Sequence, residues 1–362
     1  MSDVKNVIPA ICAVGKNYQF LIKTDEPLLV CVEIANKKYH SHSNGIKISS
    51  AGMHKINVPQ DVLDSAREYT LILTPVIDRA PYFPKLSESV ETKFAFYPIT
   101  KTSGINICHL SDVHGEKEKA LAAAGNEKFD LLVLNGDISS TSNTDEDMLL
   151  PYTLATELTR GEIPCVISRG NHDLRGYAAE RLEKYMPNDL GKSYYTFRVG
   201  CVWGILVDAG EDKPDGSYEY NGVICCEDFR REEDEAIKRV IENAKSEYGA
   251  DGVKYKLVIS HIPFPFKRDP YFDIERELYA SWGKLLKDNV KPNLMLCGHT
   301  HKFTVSHIGS AFDSLGQPCT AIVASDITDG VYSTAFVSLN ESSADVKLYS
   351  GNGLISKESI KL

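Results

Sequence analysis

Ile105-Asn106-Ile107-Cys108-His109-Leu110-Ser111-Asp112-Val113-His114 runs from a short apolar segment into an aspartate and a histidine, and the chain repeats that arrangement four more times. Residues 130–135 lead into Gly136-Asp137, residues 164–168 into Gly170-Asn171-His172-Asp173, residues 255–260 into His261, and residues 294–297 into Gly298-His299-Thr300-His301. Short apolar runs bounded by turn formers and separated by helical stretches read as the buried strands of an α/β domain. Ligands of an open α/β sheet gather beyond the carboxyl ends of its strands, so side chains placed there converge although they are far apart in sequence. The five segments therefore predict one polar cluster at one end of a sheet.

In extended backbone a two-residue spacing puts both side chains on one face, which would let Asp112 converge with His114 and His299 with His301. Gly136, Gly170 and Gly298 stand just before candidate ligands, where the chain has to turn and approach a small ion closely. Imidazole nitrogens with carboxylate or amide oxygens suit transition metals; an all-oxygen set would suit Mg or Ca, and thiolates a structural zinc.

Taken in order, Asp112-x-His114, Gly136-Asp137, Gly170-Asn171-His172-Asp173, the lone His261 and Gly298-His299-x-His301 resemble the signature of the calcineurin-like metallophosphoesterase superfamily, over about residues 105 to 301. The resemblance implies an α/β (α+β) fold, a four-layer αββα sandwich, with two divalent or mixed-valence transition-metal ions (Mn, Fe or Zn). It implies that Asp112, His114, Asp137 and His301 hold one ion and that Asp137, Asn171, His261 and His299 hold the other, with Asp137 bridging. It also implies that His172 protonates the leaving oxygen while Asp173 orients the imidazole. Two ions roughly 3.5 to 4 Å apart can share a water and lower its pKa toward about 7, which makes a metal-bound hydroxide the expected nucleophile. Four positive charges from the ions exceed two negative ones from Asp112 and Asp137, so the site attracts a small phosphate ester.

Hydrolysis of a phosphomonoester is the expected reaction, and a phosphodiesterase of the cyclic-nucleotide type is the alternative among enzymes. Outside enzymes the alternative is a binding scaffold that keeps the fold and has lost turnover. Such a chain would show gaps in its ligand set, whereas all seven ligands and His172 are present. The layout is distantly similar to that of purple acid phosphatases, but those carry a Tyr three residues after the Gly-Asp aspartate, where this chain has Ser140. The stretch Gly136-Asp137-Ile138-Ser139-Ser140 likewise departs from the Gly-Asp-x-Val-Asp-Arg-Gly of protein Ser/Thr phosphatases.

Arg169 and Arg175 bracket the Asn-His-Asp motif, and a guanidinium can grip phosphate oxygens with two parallel hydrogen bonds. Arg175 is the expected substrate contact, together with Asn171. His109 lies in an apolar strand and is expected to pack behind the site. His40, His42, His54 and His307 read as surface or packing residues, Trp282 as core, and the loop 208–222 with Tyr218 and Tyr220 as a wall of the pocket or ordinary aromatic packing.

The first hundred residues read as strands and turns, with apolar runs at 27–34, 54–58 and 69–77 and a short helical turn at 60–67. They predict a small β-sandwich domain of the fibronectin/immunoglobulin-like kind over residues 1–100, and a metallophosphoesterase domain over 101–362. Every motif residue lies beyond a boundary near Lys101, so a chain starting there is expected to keep its metal ligands and some activity. The charge run 227–235 reads as a solvated helix face.

The 362 residues carry a formal net charge of -10, which argues against extended nucleic-acid binding, since that needs clustered Lys and Arg. No apolar run approaches membrane-spanning length, and the N-terminal residues lack a basic region followed by a long apolar stretch. Nine scattered cysteines without a Cys-x-x-Cys pair read as reduced thiols. A cytoplasmic protein without membrane contact is therefore expected.

Overall fold

The computed structural model describes residues 6–327 and 330–362. Strands dominate the first hundred residues: β1 (Ala10–Val14), β2 (Asn17–Thr24), β3 (Leu28–Ile34), β4 (Lys37–His40), the short β5 (His42–Ser43) and β6 (Ile46–Lys47), β7 (Gly52–Pro59), β8 (Glu68–Asp78), β9 (Lys85–Leu86) and β10 (Val90–Ala95). One helix, α1 (Gln60–Ala66), interrupts them where the sequence predicts a helical turn. Strands and helices then alternate through β11 (Ile105–Leu110), α2 (Lys117–Ala124), β12 (Leu131–Asn135), α3 (Asp145–Thr159) and β13 (Cys165–Ser168). A second alternating run holds β14 (Thr196–Val199), β15 (Val202–Leu206), α4 (Cys226–Glu242), β16 (Tyr255–Ile259), α5 (Arg276–Leu285) and β17 (Leu294–Cys297). The remaining strands are β18 (Thr304–Ser306), β19 (Thr320–Val323), β20 (Ser333–Leu339), β21 (Ser343–Ser350) and β22 (Gly353–Lys361).

Two large sheets face each other. One has the order β22-β21-β20-β11-β12-β13-β1-β2-β7 and the other β14-β15-β16-β17-β19-β18. Residues that alternate along a strand point to opposite faces, and the central strands of the second sheet are apolar on both. Leu257 and Ile259 join Ile105, Ile107, Leu131 and Val133 in the core between the sheets. Val258, Met295 and Cys297 face the other way, into a second core with Ile237 of α4 and Trp282 of α5. Helices α4 and α5 thus cover one sheet, while α2 and α3 contribute Ala120, Ala123, Ala124, Leu154 and Ala155 to the core of the other. These are the four layers that the motifs imply, and Trp282 is fully buried as expected. Among the described residues no helix is long and apolar enough to cross a membrane.

The packaging of the first hundred residues differs from a free-standing sandwich. Strands β10-β8-β3-β4 form a separate sheet, and its Val30, Val32, Leu71 and Leu73 share a core with Phe20, Ile22, Ile56 and Val58 of β2 and β7. That is a β-sandwich, but one of its layers continues into the large sheet. Strand β1 runs parallel to β13, with Cys12 opposite Cys165 and their sulfurs 3.5 Å apart. A boundary near 101 therefore follows element type and cuts through a sheet. Local patterning reads strands; it carries no signal for which distant edge a strand will join.

A chain starting at Lys101 would lose β1, β2 and β7, and with them the apolar residues that complete the core against β13 and α3, leaving apolar surface and the edge of β13 exposed. We expect it to be insoluble or to lack a cooperative thermal transition by circular dichroism. A soluble truncated chain that melts sharply and binds metal would show that the two parts fold independently.

Candidate metal centre

Each candidate ligand stands at the carboxyl end of a central strand, on the side where both sheets open. Asp112 and His114 follow β11, Asp137 follows β12, Asn171 and His172 follow β13, His261 follows β16, and His299 and His301 follow β17. The backbone there is not extended. Asp112, His114, Asp137, His299 and His301 all have positive φ, between 47° and 72°. That left-handed conformation is tolerated better by Asp, Asn and His than by most residues, and clusters of it mark functional sites. The side chains converge through tight turns and not through strand alternation, which corrects the reasoning from two-residue spacing while leaving the pairing of residues intact.

Close approach explains the glycines. Gly136 has φ 78°, and a Cβ on it would lie 2.6 Å from the Gly170 nitrogen and from the His261 ring. A Cβ on Gly170 would lie 2.2 Å from Asp137 Oδ1. Any side chain at either place would push the three loops apart.

Two groups of ligand atoms result. The atoms offered by Asp112, His114 and His301 all lie within 4.8 Å of one another, and so do those of Asp137, His261 and His299. In the first group the Nε2 atoms of His114 and His301 are 2.9 Å apart, with Asp112 Oδ1 3.3 Å from His301 Nε2. In the second, His261 Nε2 is 3.1 Å from Asp137 Oδ2, and Asn171 Oδ1 is 3.0 Å from His299 Nδ1. Asp137 also falls in a third group with His114 and His172, so it reaches toward both sides of the cluster.

The residues fit metal ions on two counts. His261 Nε2 and Asp137 Oδ2 are buried, and neither makes a hydrogen bond. Buried polar atoms almost always find a partner, so atoms left bare and facing each other call for a cation between them. Charge makes the same demand. Burial alone would raise the pKa of Asp112 and Asp137, yet His261 and its neighbours outweigh it and hold both carboxyls below the usual range. Burial alone would likewise discharge His261, yet Asp137 and Asp112 lift it to about 10. A proton on His261 is then the smallest cation the carboxylates will accept, and a divalent ion supplies more charge at the same place.

Supporting contacts fix the ligands from behind. Asp112 accepts hydrogen bonds from the His299 backbone N–H at 2.9 and 3.0 Å and from Ser325 Oγ at 2.6 Å. The Asn135 carbonyl accepts a hydrogen bond from His261 Nδ1 at 2.7 Å, which leaves Nε2 for the cluster. The Asn135 side chain is held in turn by Ser168 Oγ at 2.7 Å, by the Leu296 carbonyl at 3.0 Å and against His109 Nε2 at 3.1 Å. His109 is thus packed behind the site, where burial pushes its pKa down to about 3.

His172 and Asp173 divide their work differently from the family pattern. The His172 imidazole donates from Nδ1 to the Ser140 carbonyl at 3.0 Å, and its Nε2 lies 3.5 Å from a terminal nitrogen of Arg175. Asp173 is buried and accepts from the backbone N–H of Gly170 at 2.7 Å and of Asp137 at 3.1 Å. It braces the two ligand loops and does not touch the imidazole, so the expectation that it orients His172 is corrected. The reason lies in the loop after Asp137, which docks on the 171–178 segment through Ser142 and so brings the Ser140 carbonyl over the ring.

Arg175 is near the cluster but occupied. Its Nε and one terminal nitrogen pair with the two Glu211 oxygens at 2.7 Å each, and its other terminal nitrogen lies 3.5 Å from His172 Nε2. A guanidinium gripped by a carboxylate is not free to grip phosphate, so its expected role as a substrate clamp is corrected to that of a wall. Arg169 pairs with Asp208 and stacks on Phe229.

The sequence reading missed Asp212. It is buried beside the second group, with Oδ2 3.6 Å from His299 Nε2, and Oδ1 accepting from Lys213 Nζ and Tyr220 Oη at 3.1 Å each. A carboxylate behind a metal-binding imidazole fixes its orientation and raises its basicity. The acidic pair Glu211-Asp212 inside the loop 208–222 was the available signal. Asp212→Asn is expected to weaken metal binding roughly 10- to 100-fold, the usual cost of losing such a partner. Titration with Mn or Zn measures it, and an unchanged affinity would deny Asp212 that role.

The chain matches the model of the calcineurin-like phosphoesterases over residues 105–303. It belongs to the calcineurin-like phosphoesterase family. As a member it is a phosphoesterase, a hydrolase whose chemistry depends on divalent metal ions. Comparison with curated proteins finds no match. Among solved structures, this phosphoesterase is similar to a purple acid phosphatase from yellow lupin (Lupinus luteus) seeds, at 11% identity over 98% of this chain and 74% of that one, with a TM-score of 0.59. Vacuolar protein sorting 29 of Cryptosporidium parvum is matched at 12% identity over 72% of this chain and 100% of that one, with a TM-score of 0.36. The likeness to the lupin protein speaks to the fold, and it covers the strands before residue 101 as well as the catalytic part.

Proposed function

We propose that this phosphoesterase hydrolyses a phosphomonoester at a dinuclear centre whose two ions share Asp137. The observation that carries the reading is the pair of ligand groups, Asp112-His114-His301 and Asp137-His261-His299, with the buried Asp137 also grouped with His114 of the first. When bound there, two divalent ions would polarise the phosphoryl oxygens and acidify the attacking water.

The chain's own residues do the rest. Asn171 Oδ1, 3.0 Å from His299, completes the second group as an uncharged donor, which keeps the centre net positive toward the ester. The Ser140 carbonyl holds the His172 Nδ1–H, so a doubly protonated imidazole would hand its proton to the departing oxygen from Nε2. Loops 138–143 and 171–178 are knitted together through Ser142, which fixes His172 relative to Asp137. All nine cysteines are free and eight are buried, which fits the cytoplasm as the compartment.

The test is a metal-reconstituted assay that compares nitrophenyl phosphate with bis-nitrophenyl phosphate. Faster turnover of the monoester is expected, and a higher kcat/KM on the diester would overturn the monoester assignment.

A further inference from the structure

A cavity of about 730 Å³ lies beside the metal centre, behind Arg175. We propose that it holds the alcohol part of the ester, and that the substrate is the phosphate of an apolar alcohol without a second anionic group. This rests on the proposed monoester hydrolysis and adds to it what the phosphate is attached to.

Position is the first argument. A proton donor has to stand on the leaving-group side of the phosphorus, so the alcohol part extends from the metal centre past His172 Nε2. The atom met there is the Arg175 terminal nitrogen, 3.5 Å away, and the segment that follows His172, from Leu174 to Tyr177, forms one wall of the cavity. Arg175 stands at the junction of the two spaces, and its pairing with Glu211, backed by the Tyr220 hydroxyl at 2.7 Å, keeps it there.

Size and character are the second. The volume falls in the range of roughly 300 to 1,000 Å³ that small-molecule sites occupy. The lining includes Ile167, Leu182, Met186, Ile224 and Phe229. At its rim Tyr177 is 94% exposed and Val223 is 84% exposed. Two large apolar side chains left in water at the mouth of an apolar cavity gain burial only when something apolar enters between them.

Charge is the third. The lining holds two arginines, 169 and 175, against four glutamates, 180, 183, 211 and 219. Both arginines are already engaged, Arg169 with Asp208 and Arg175 with Glu211. An alcohol carrying its own carboxylate or phosphate would meet net negative charge without a free cation to receive it. The metal centre attracts one phosphate, and the cavity next to it repels a second anion.

The test separates the cavity from the chemistry by measuring binding as well as turnover. Alkyl phosphonates from ethyl to hexyl, which cannot be hydrolysed, are titrated into the metal-reconstituted protein by calorimetry. Alkyl phosphates of the same lengths, whose alcohols leave equally poorly, are assayed for kcat/KM. Each buried methylene is expected to strengthen binding and kcat/KM by roughly a factor of four, or about 10² from ethyl to hexyl. A terminal carboxylate on the hexyl chain is expected to cancel most of that gain. Val223→Trp, a change at an exposed rim position that leaves the core untouched, should fill the mouth and flatten the dependence on chain length. Affinity that does not change with chain length, or a slope that survives Val223→Trp, overturns the cavity assignment. Rising phosphonate affinity without turnover of any alkyl phosphate supports the cavity and overturns the monoester reading, so the two failures are distinguishable.

Discussion

An Asp137→Asn variant is expected to lose turnover and to release metal from both groups of ligands. The amide has nearly the same volume and its oxygen can still accept the hydrogen bond that His172 N–H gives Oδ1 at 2.8 Å, so the loop should keep its shape. The negative charge is lost, together with the anionic oxygen that faces His261 Nε2 at 3.1 Å. That oxygen is buried without a hydrogen bond, which is tolerable for a metal ligand and costly for anything else. Because the same carboxylate serves both groups, the loss in affinity should exceed the roughly 10- to 100-fold cost of removing an outer partner such as Asp212. Metal content per chain and kcat/KM on nitrophenyl phosphate measure it. A variant that retains two tightly bound ions and near-normal turnover would rule out the shared carboxylate.

His172→Ala is expected to have the second largest effect, and only on esters that need a proton to leave. An alkyl alkoxide is a poor leaving group, so its phosphate should be hydrolysed roughly 10² to 10⁴ times more slowly. Nitrophenolate leaves readily without a proton, and its ester should slow distinctly less. Metal content should stay near normal, since His172 is held by the Ser140 carbonyl and not by the ligand groups' own supporting contacts. Equal losses on both esters would make His172 a prop for the centre, and loss of metal would make it a ligand.

Much of the fold and most of the candidate site are legible in the amino-acid sequence, because the signals are local. Strands β11 and β17 span the apolar runs that precede Asp112 and His299, and β12, β13 and β16 begin or end within a residue of their runs. An apolar run followed by Gly and a ligand is a complete local instruction: bury the strand, turn, present the side chain. What is not legible depends on partners far away along the chain. The joining of β1 to β13 depends on which edges are free when the sheets assemble. Asp173 looks like the natural partner of its neighbour His172, but folding places it under the Gly170 and Asp137 N–H groups instead. Arg175 looks free beside a phosphate site until Glu211, from a loop more than thirty residues on, closes over it. Asp112 and His114 converge as expected but by left-handed turns, a conformation that their residue types permit without announcing it.

The most direct measurement is an anomalous-scattering map from crystals of the protein reconstituted with Mn or Zn. Two peaks per chain are expected, roughly 3.5 to 4 Å apart, one among Asp112, His114 and His301 and the other among Asn171, His261 and His299, with the Asp137 carboxylate between them. A single peak, or two peaks that leave Asp137 bound to one ion only, would contradict the dinuclear centre.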